Sequence, residues 1–457
     1  MSSGLKNLTK MILASAAFIV LLGGANMASA ESLTDALVSA YSGNPTLRAD
    51  RARQRGTDEQ VPQALSGWRP TVSTQGSVSH NWSDTNVSKA TEYNPANVTI
   101  SLSQPIFRGF KTINGTKAAE ANVEAGRQNL LAVEQDVIFQ AIQAYMDVIR
   151  DRQIVVLRQK NVGVLHQQLK AANDRFSVGE ITRTDVAQSR ARVALSQADV
   201  ASATAALATS VAAYEKVVGH KPGTLKYPKI AKLPRSLEEA QSAALEVNPD
   251  ILAAAYVAEA SNYNVEVVKG DLLPDLNLDA SASITDEPQD GVDTSRSAKI
   301  AGVLNIPLYE AGSVYSSVRQ YKQIASQRKI QIIEAGRAVR EAVSNAWNNL
   351  IAARQAIAAN KSQVSASELA LDGVRQEYLV GSRTTLDVLN AQSDIVSARI
   401  DLVSAERDQV VAAYQILASI GRLTAQDLAL PVEYYDPEEN YRDVRDKWIG
   451  TGVNTVE

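Results

Sequence analysis

The chain runs to 457 residues, yet only 5% of them are aromatic against 45% hydrophobic, and long stretches are rich in Ala, Gln, Ser and Val. Such a composition suits extended helices packed through small side chains better than several large globular cores. Cysteine is absent, which excludes disulfides, thiolate metal sites and an N-terminal lipid-bearing cysteine, and a formal net charge of −4 argues against a nucleic-acid partner.

Residues 1–30 read as a secretory signal peptide. Lys6 and Lys10 form the basic region, Met11 to Leu22 the apolar run, and Ala28-Ser29-Ala30 a small-residue cleavage site. The apolar run is too short for a retained anchor, and its removal makes the mature chain more acidic by two charges. The rest contains no apolar run of about 20 residues, so no spanning helix is expected. Export then leaves the periplasm, the medium or an outer-membrane β-barrel as destinations.

Residues 32–66 read as a first helix with Ala36, Leu37 and Ala40 on one side, interrupted at Asn44-Pro45 and closed by Trp68-Arg69-Pro70. Two strands follow, over 71–107. From Thr71 to Ser83 the odd positions are polar, while even positions include Val72, Val78 and Trp82. The alternation resumes with Val98, Ile100, Leu102 and Ile106 opposite Asn97, Thr99, Ser101 and Ser103. Such period-two patterning fits strands with one apolar and one wet face. A polar loop from Asp84 to Pro95 joins them. A long helical hairpin is expected over 112–218, completing a unit that spans 31–218.

Residues 219–234, with Pro222, Gly223, Pro228 and Pro234, read as a linker with one short strand. Over 235–423 the chain then repeats itself. Asn248-Pro249 and Leu272-Leu273-Pro274 echo the earlier punctuation, and two strands are expected over 275–309, with Leu276, Leu278, Ala280, Ala282 and Ile284 alternating in the first. Asp286 to Arg296, with Pro288 and Gly291, reads as an exposed loop rather than strand. A second helical hairpin is expected over 312–420. Each long helical run is roughly 60 residues, about 90 Å at about 1.5 Å per residue.

The two hairpins turn on nearly the same words: Phe176-Ser-Val-Gly-Glu-Ile-Thr-Arg-Thr-Asp185 and Tyr378-Leu-Val-Gly-Ser-Arg-Thr-Thr-Leu-Asp387. Gly179 and Gly381 supply helix stops, and Thr182/Asp185 and Thr384/Asp387 are capping boxes that open the return helices. On the outgoing helices Val137, Ala141, Ala144 and Val148 lie beside a second stripe of Ile138, Ile142, Tyr145 and Ile149, so each helix touches more than one neighbour. The second return helix carries coiled-coil spacing from Leu389 through Val396, Val410 and Tyr414 to Leu417. Residues 424–457 form a polar, acidic tail without heptads, expected to pack irregularly on the helices with loose final residues.

The fold class is therefore mainly α with β, an internal tandem repeat of long coiled-coil hairpins with four membrane-length strands. Four strands cannot close a barrel alone, and open edges are not tolerated in lipid, so the barrel must be shared between chains. Two chains would supply eight strands and three would supply twelve.

The duplicated tip motif, the Gln104-Pro-Ile-Phe107 and Asn305-Ile-Pro-Leu-Tyr309 strand ends and the Asn-Pro pairs resemble the TolC family of outer-membrane efflux and secretion channels, from about Leu33 to Leu423. The resemblance implies a homotrimer with a twelve-stranded transmembrane β-barrel on a periplasmic α-barrel, seated in outer-membrane lipid. It further implies docking on an inner-membrane RND or ABC transporter through a periplasmic adaptor (membrane fusion) protein, to export drugs or unfolded proteins. By similarity, Tyr378 and Arg383 would close the periplasmic gate against Thr184, Asp185 and Gln168 of a neighbouring hairpin. Asp387 would form one acidic ring of the pore constriction. Where the family has a second acidic ring this chain has Asn390, a departure that implies weaker cation binding. Val178, Gly179, Val380 and Gly381 would be the tips that meet adaptors.

The bland readings stand beside these. Asp185 and Asp387 serve as capping acids with or without a pore. His80, His166 and His220 are scattered without ligand spacing, so no metal or other cofactor is expected, and no nucleophile or phosphate-loop motif points to an enzyme. The competing architecture is a soluble periplasmic coiled-coil scaffold whose strands form a small sandwich. A wet face opposite an apolar one in all four strands speaks against it.

Overall fold

The computed structural model describes residues 31–87 and 90–453. The signal peptide expected over 1–30 and the final tail residues lie outside the described residues. In chain order the elements are α1 (Leu33–Gly43), α2 (Pro45–Asp58), α3 (Gln60–Leu65), β1 (Thr71–Val78), β2 (Asn81–Ser83), β3 (Thr91–Tyr93), β4 (Ala96–Arg108), α4 (Lys111–Ser177), α5 (Arg183–Val218), α6 (Leu237–Val247), α7 (Pro249–Lys269), β5 (Asp275–Gln289), β6 (Val292–Asn305), α8 (Ser313–Leu379), α9 (Thr385–Ile420) and α10 (Glu439–Val444). The tandem repeat is explicit: α4 and α8 both have 67 residues, and α5 and α9 both have 36. At about 1.5 Å per residue, each outgoing helix is about 100 Å long.

The strands form one antiparallel sheet in the order β1-β4-β5-β6. Its register sets Val72, Leu102, Ala280 and Ile300 in one row, and Thr74, Ile100, Ala282 and Ala298 in the next. The apolar positions of all four strands thus share one face. That face is open: Val72 is 67% and Ile300 78% exposed. The opposite face is polar and internally bonded. Ser103 donates to Asp279 at 2.6 Å, Asn97 to Thr285 at 2.7 Å, and Ser283 pairs with Ser297 at 2.8 Å. From Leu276 to Ile284 the apolar stretch rises about 27 Å along a strand at about 3.4 Å per residue, and tilting brings it near the apolar height of an outer-membrane barrel. The sandwich alternative fails here, because the sheet is a single layer, with the remaining β2 and β3 forming only a small separate hairpin.

Two boundaries differ from the expectation. The first strand stops at Val78 although alternation continues to Ser83, because the chain leaves the sheet and Asn81–Ser83 pairs with Thr91–Tyr93 inside the expected loop. Conversely, the stretch from Asp286 to Arg296 is mostly strand. Pro288 is absorbed where the register shifts between Asp286 and Gln289, and only Asp290 and Gly291 make the turn, with Gly291 at φ +79°.

The Asn-Pro pairs explain how short helices become parts of long ones. Asn44 caps α2 by accepting from the Thr46 N–H at 2.9 Å, and its Nδ2 donates to the Val217 carbonyl in the last turn of α5, also at 2.9 Å. Asn248 does the same for α7, accepting from Asp250 N–H and donating to the Ser419 carbonyl of α9, both at 2.9 Å. A helix ends with unsatisfied carbonyls and begins with unsatisfied N–H groups, and one buried amide answers both. The result is two end-to-end joints, α5 to α2 and α9 to α7, each lying alongside an unbroken helix.

The core sits beside these joints. Both apolar stripes of α4, from Val137 to Ile149, are buried against α1, the ends of α5 and α9, and the tail. In α8 the first stripe (Val339, Val343, Ala346, Leu350) is buried, while Ile351 of the second is 41% exposed and Ile330 and Ile333 more so. Tyr145 ties the first unit to the linker: its hydroxyl donates to the carbonyls of Lys226 (2.6 Å) and Glu31 (2.9 Å), and burial pushes its pKa up to about 12. The expected linker strand is a single bridge between Glu31 and Leu225. The tail packs on α2 and α4, with Asn440 donating to the buried Asp58 at 2.9 Å, and carries the short helix α10.

Candidate functional site

The site is the pair of hairpin tips at the end of the helices remote from the sheet. Both tips are built identically. The N–H groups of Gly179 and Glu180 donate to the carbonyls of Phe176 and Arg175, both at 3.0 Å, and those of Gly381 and Ser382 to Tyr378 (3.1 Å) and Glu377 (3.0 Å). These bonds close the helix only if the glycine is left-handed, and φ is +81° at Gly179 and +83° at Gly381. The next helix then opens on a full capping box. Asp387 accepts from the Thr384 N–H at 2.9 Å and hydroxyl at 2.8 Å, and Asp185 accepts from Thr182 at 2.9 and 2.7 Å.

Those bonds also set the electrostatics. The Thr384 N–H and hydroxyl hold the Asp387 carboxyl below the usual range, and the Thr182 hydroxyl and N–H do the same for Asp185, with Thr385 of the second hairpin adding to them. Both capping carboxylates are therefore held in the ionised form. Arg383 Nε donates to Glu377 Oε2 at 2.7 Å, across its own turn, and that contact raises the guanidinium pKa further.

Within one protomer the hairpins touch through a short polar chain. The Arg175 guanidinium lies over the Tyr378 ring, 4.8 Å from its centre; the Tyr378 hydroxyl meets Thr385 Oγ1 at 3.3 Å; and Thr385 reaches Asp185. Tyr378 and Asp185 are thus brought together. Thr184 is exposed, Gln168 is half-buried with its Oε1 unpartnered, and Arg383 is occupied by Glu377 of its own hairpin. Val178 and Val380 project at 76% and 80% exposure, and a side chain added at Gly179 or Gly381 would meet only open space.

Deeper between the hairpins lies a layer absent from the sequence reading. Arg375 Nη2 donates to Gln392 Oε1 at 2.9 Å, and Gln392 Nε2 to Asn161 Oδ1 at 3.1 Å, above a cluster of Leu165, Val193 and Leu389. Asn390 accepts from Arg192 Nη2 at 2.6 Å. Arg175, Glu377 and Arg192 were also missed. Glu377 carried a signal, since it occupies the position in its repeat that Arg175 occupies in the first, with opposite charge. Among the described residues no group of His, Asp and Glu is placed to hold a metal ion.

The family described as outer membrane efflux protein matches residues 36–220 and 240–422, one match per repeat. The chain is 43% identical over 427 residues to the outer membrane efflux protein BepC of Brucella suis, covering 93% of this chain and 92% of that protein. It is 26% identical to the outer membrane protein TolC of Salmonella enteritidis, over 89% of this chain and 85% of that one. The crystal structure of the Campylobacter jejuni CmeC outer membrane channel superposes with a TM-score of 0.77 at 15% identity, covering 91% of this chain and 89% of that one.

Proposed function

The chain belongs to the outer membrane efflux protein family, and on that premise we propose that three copies assemble into one exit duct. The protein is an outer-membrane channel with a large periplasmic helical part, a passive conduit from the periplasmic side to the exterior. In the trimer, β1 of each copy pairs with β6 of the next, closing twelve strands into a barrel with the apolar face toward lipid. The long helices continue it as a periplasmic tube. The observation that carries this reading is the in-register apolar face of a single-layer sheet whose outer strands, β1 and β6, each have only one partner strand among the described residues. Unpaired backbone groups are intolerable in hydrocarbon, so both edges need a neighbour. The open flank of α8, with Ile330, Ile333 and Ile351, supports the same neighbour alongside the helices.

At the periplasmic end Tyr378, Arg383, Thr184, Asp185 and Gln168 form the gate, with Asp387 and Asn390 narrowing the lumen. The exposed Val178-Gly179 and Val380-Gly381 tips receive a periplasmic adaptor that links the duct to an RND or ABC transporter, which supplies the energy and selects drugs or unfolded protein as cargo. The duct itself does no chemistry.

The natural absence of cysteine makes the test clean. Cysteines placed singly on β1 (Ser73→Cys) and β6 (Lys299→Cys) of the same chain are expected to form disulfides between copies, giving a covalent trimer after oxidation in membranes. Chains that stay monomeric after oxidation at several β1–β6 registers would refute the shared barrel.

A further inference from the structure

One turn beyond the Thr384–Asp387 box, the Asn390 side chain is engaged across the hairpins. Arg192 of α5 donates through Nη2 to Asn390 Oδ1 at 2.6 Å. The guanidinium lines a narrow cleft with Leu195, Ser196, Leu389 and Gln392, and the other charged residues of that cleft are Arg158 and Asp199. The acids around it have other partners: Asp199 pairs with Arg158 at 2.8 Å, and Asp387 is bonded by Thr384. Among the described residues no carboxylate stands within ion-pair distance of Arg192. A full positive charge is therefore clamped onto a neutral amide, and keeps its field. An aspartate at 390 would instead pair with it.

We infer that Arg192 is a specificity-determining residue of the constriction: its charge cancels the Asp387 ring and opens the entrance to anionic permeants. This rests on the reading of Asp387 and Asn390 as the narrow part of the lumen. The two levels are three residues apart, about 4.5 Å along the helix at about 1.5 Å per residue. That is less than the Debye length of about 8 Å at physiological ionic strength, so a permeating ion responds to both rings together. Counting positions 387, 390 and 192 alone, each protomer sets Asp387 against Arg192, while Asp185 and Arg375 are the same in every variant compared. Either Arg192→Gln or Asn390→Asp leaves one negative charge, and the double variant leaves two.

The test is the reversal potential of the full-length trimer in planar lipid bilayers under a KCl gradient at low ionic strength. The natural protein sets the reference potential. Arg192→Gln and Asn390→Asp are each expected to raise the cation-to-anion permeability ratio by a similar factor, on the order of tenfold or less. The double variant should shift the potential about twice as far as either single. Arg192→Lys, which preserves the charge, is expected to keep the natural potential and so separates charge from packing. If Asn390→Asp shifts the potential and Arg192→Gln leaves it unchanged, the role of Arg192 is refuted while the constriction stands. If neither single variant nor the double one moves it, the constriction reading falls instead.

Discussion

Replacing Asn44 tests how the long helical columns are held end to end. Asn44→Ala removes the cap on Thr46 N–H, worth about 1 kcal/mol. It also strands the Val217 carbonyl, which Asn44 Nδ2 satisfies at 2.9 Å in a position where Asn44 itself is only 6% exposed. An orphaned buried acceptor costs about 1–3 kcal/mol, so the joint should weaken by about 2–4 kcal/mol in all. Asn44→Ser separates the two contributions: serine caps nearly as well, but its hydroxyl is too short to reach Val217, so only the second loss remains. Global unfolding of an outer-membrane channel is poorly reversible, so local opening is the better measure. Native-state hydrogen exchange read by mass spectrometry should show the first turn of α2 and the last turn of α5 exchanging about 30- to 1,000-fold faster in Asn44→Ala. Both segments should accelerate together, although they are 173 residues apart in sequence. Faster exchange confined to α2, or natural exchange in Asn44→Ser, would refute the joint.

Other outcomes follow from the same structure. Gly421→Ala should destabilise far more than Gly219→Ala in thermal unfolding: both glycines are left-handed at φ +94°, but only at Gly421 would the new Cβ meet backbone, 2.8 Å from Asn248 Cα. Burial raises the Glu134 carboxyl above its ordinary range despite the Ala425 N–H at 2.7 Å, so the folded chain keeps this proton where the unfolded chain has released it. Glu134 should therefore cost stability progressively as pH rises from the ordinary glutamate range through its raised value, and Glu134→Gln should flatten that part of a melting-temperature profile. Tyr378→Ala removes both the stacked Arg175, worth about 0.5–1 kcal/mol, and the Thr385 contact, worth about 1 kcal/mol. In the proposed trimer that loss, repeated in each copy, should loosen the tip and raise single-channel conductance, with Tyr378→Phe intermediate.

Much of this architecture was legible because it is written twice. Alternation in four segments told which residues share the apolar face of the sheet, and the matched tip words located both turns and both capping boxes. Local pattern failed where the partner decides. Polar odd positions continue through Ser79 and Asn81, yet the strand ends at Val78 because Asn81–Ser83 finds Thr91–Tyr93. Pro288 reads as a strand breaker, but a register shift accommodates it. The second stripe of α8 looks like its counterpart in α4 and nonetheless lies open within this chain. The cross-hairpin contacts, Arg175 over Tyr378 and Arg192 on Asn390, depend on how two distant turns come together, which no spacing within either turn encodes.

In the proposed assembly a four-stranded sheet with two open edges is a third of a closed cylinder. Native mass spectrometry of the detergent-solubilised protein measures this directly. Three chains per particle is the expected result, and a stable monomer or dimer in mild detergent would rule out a barrel shared by three copies.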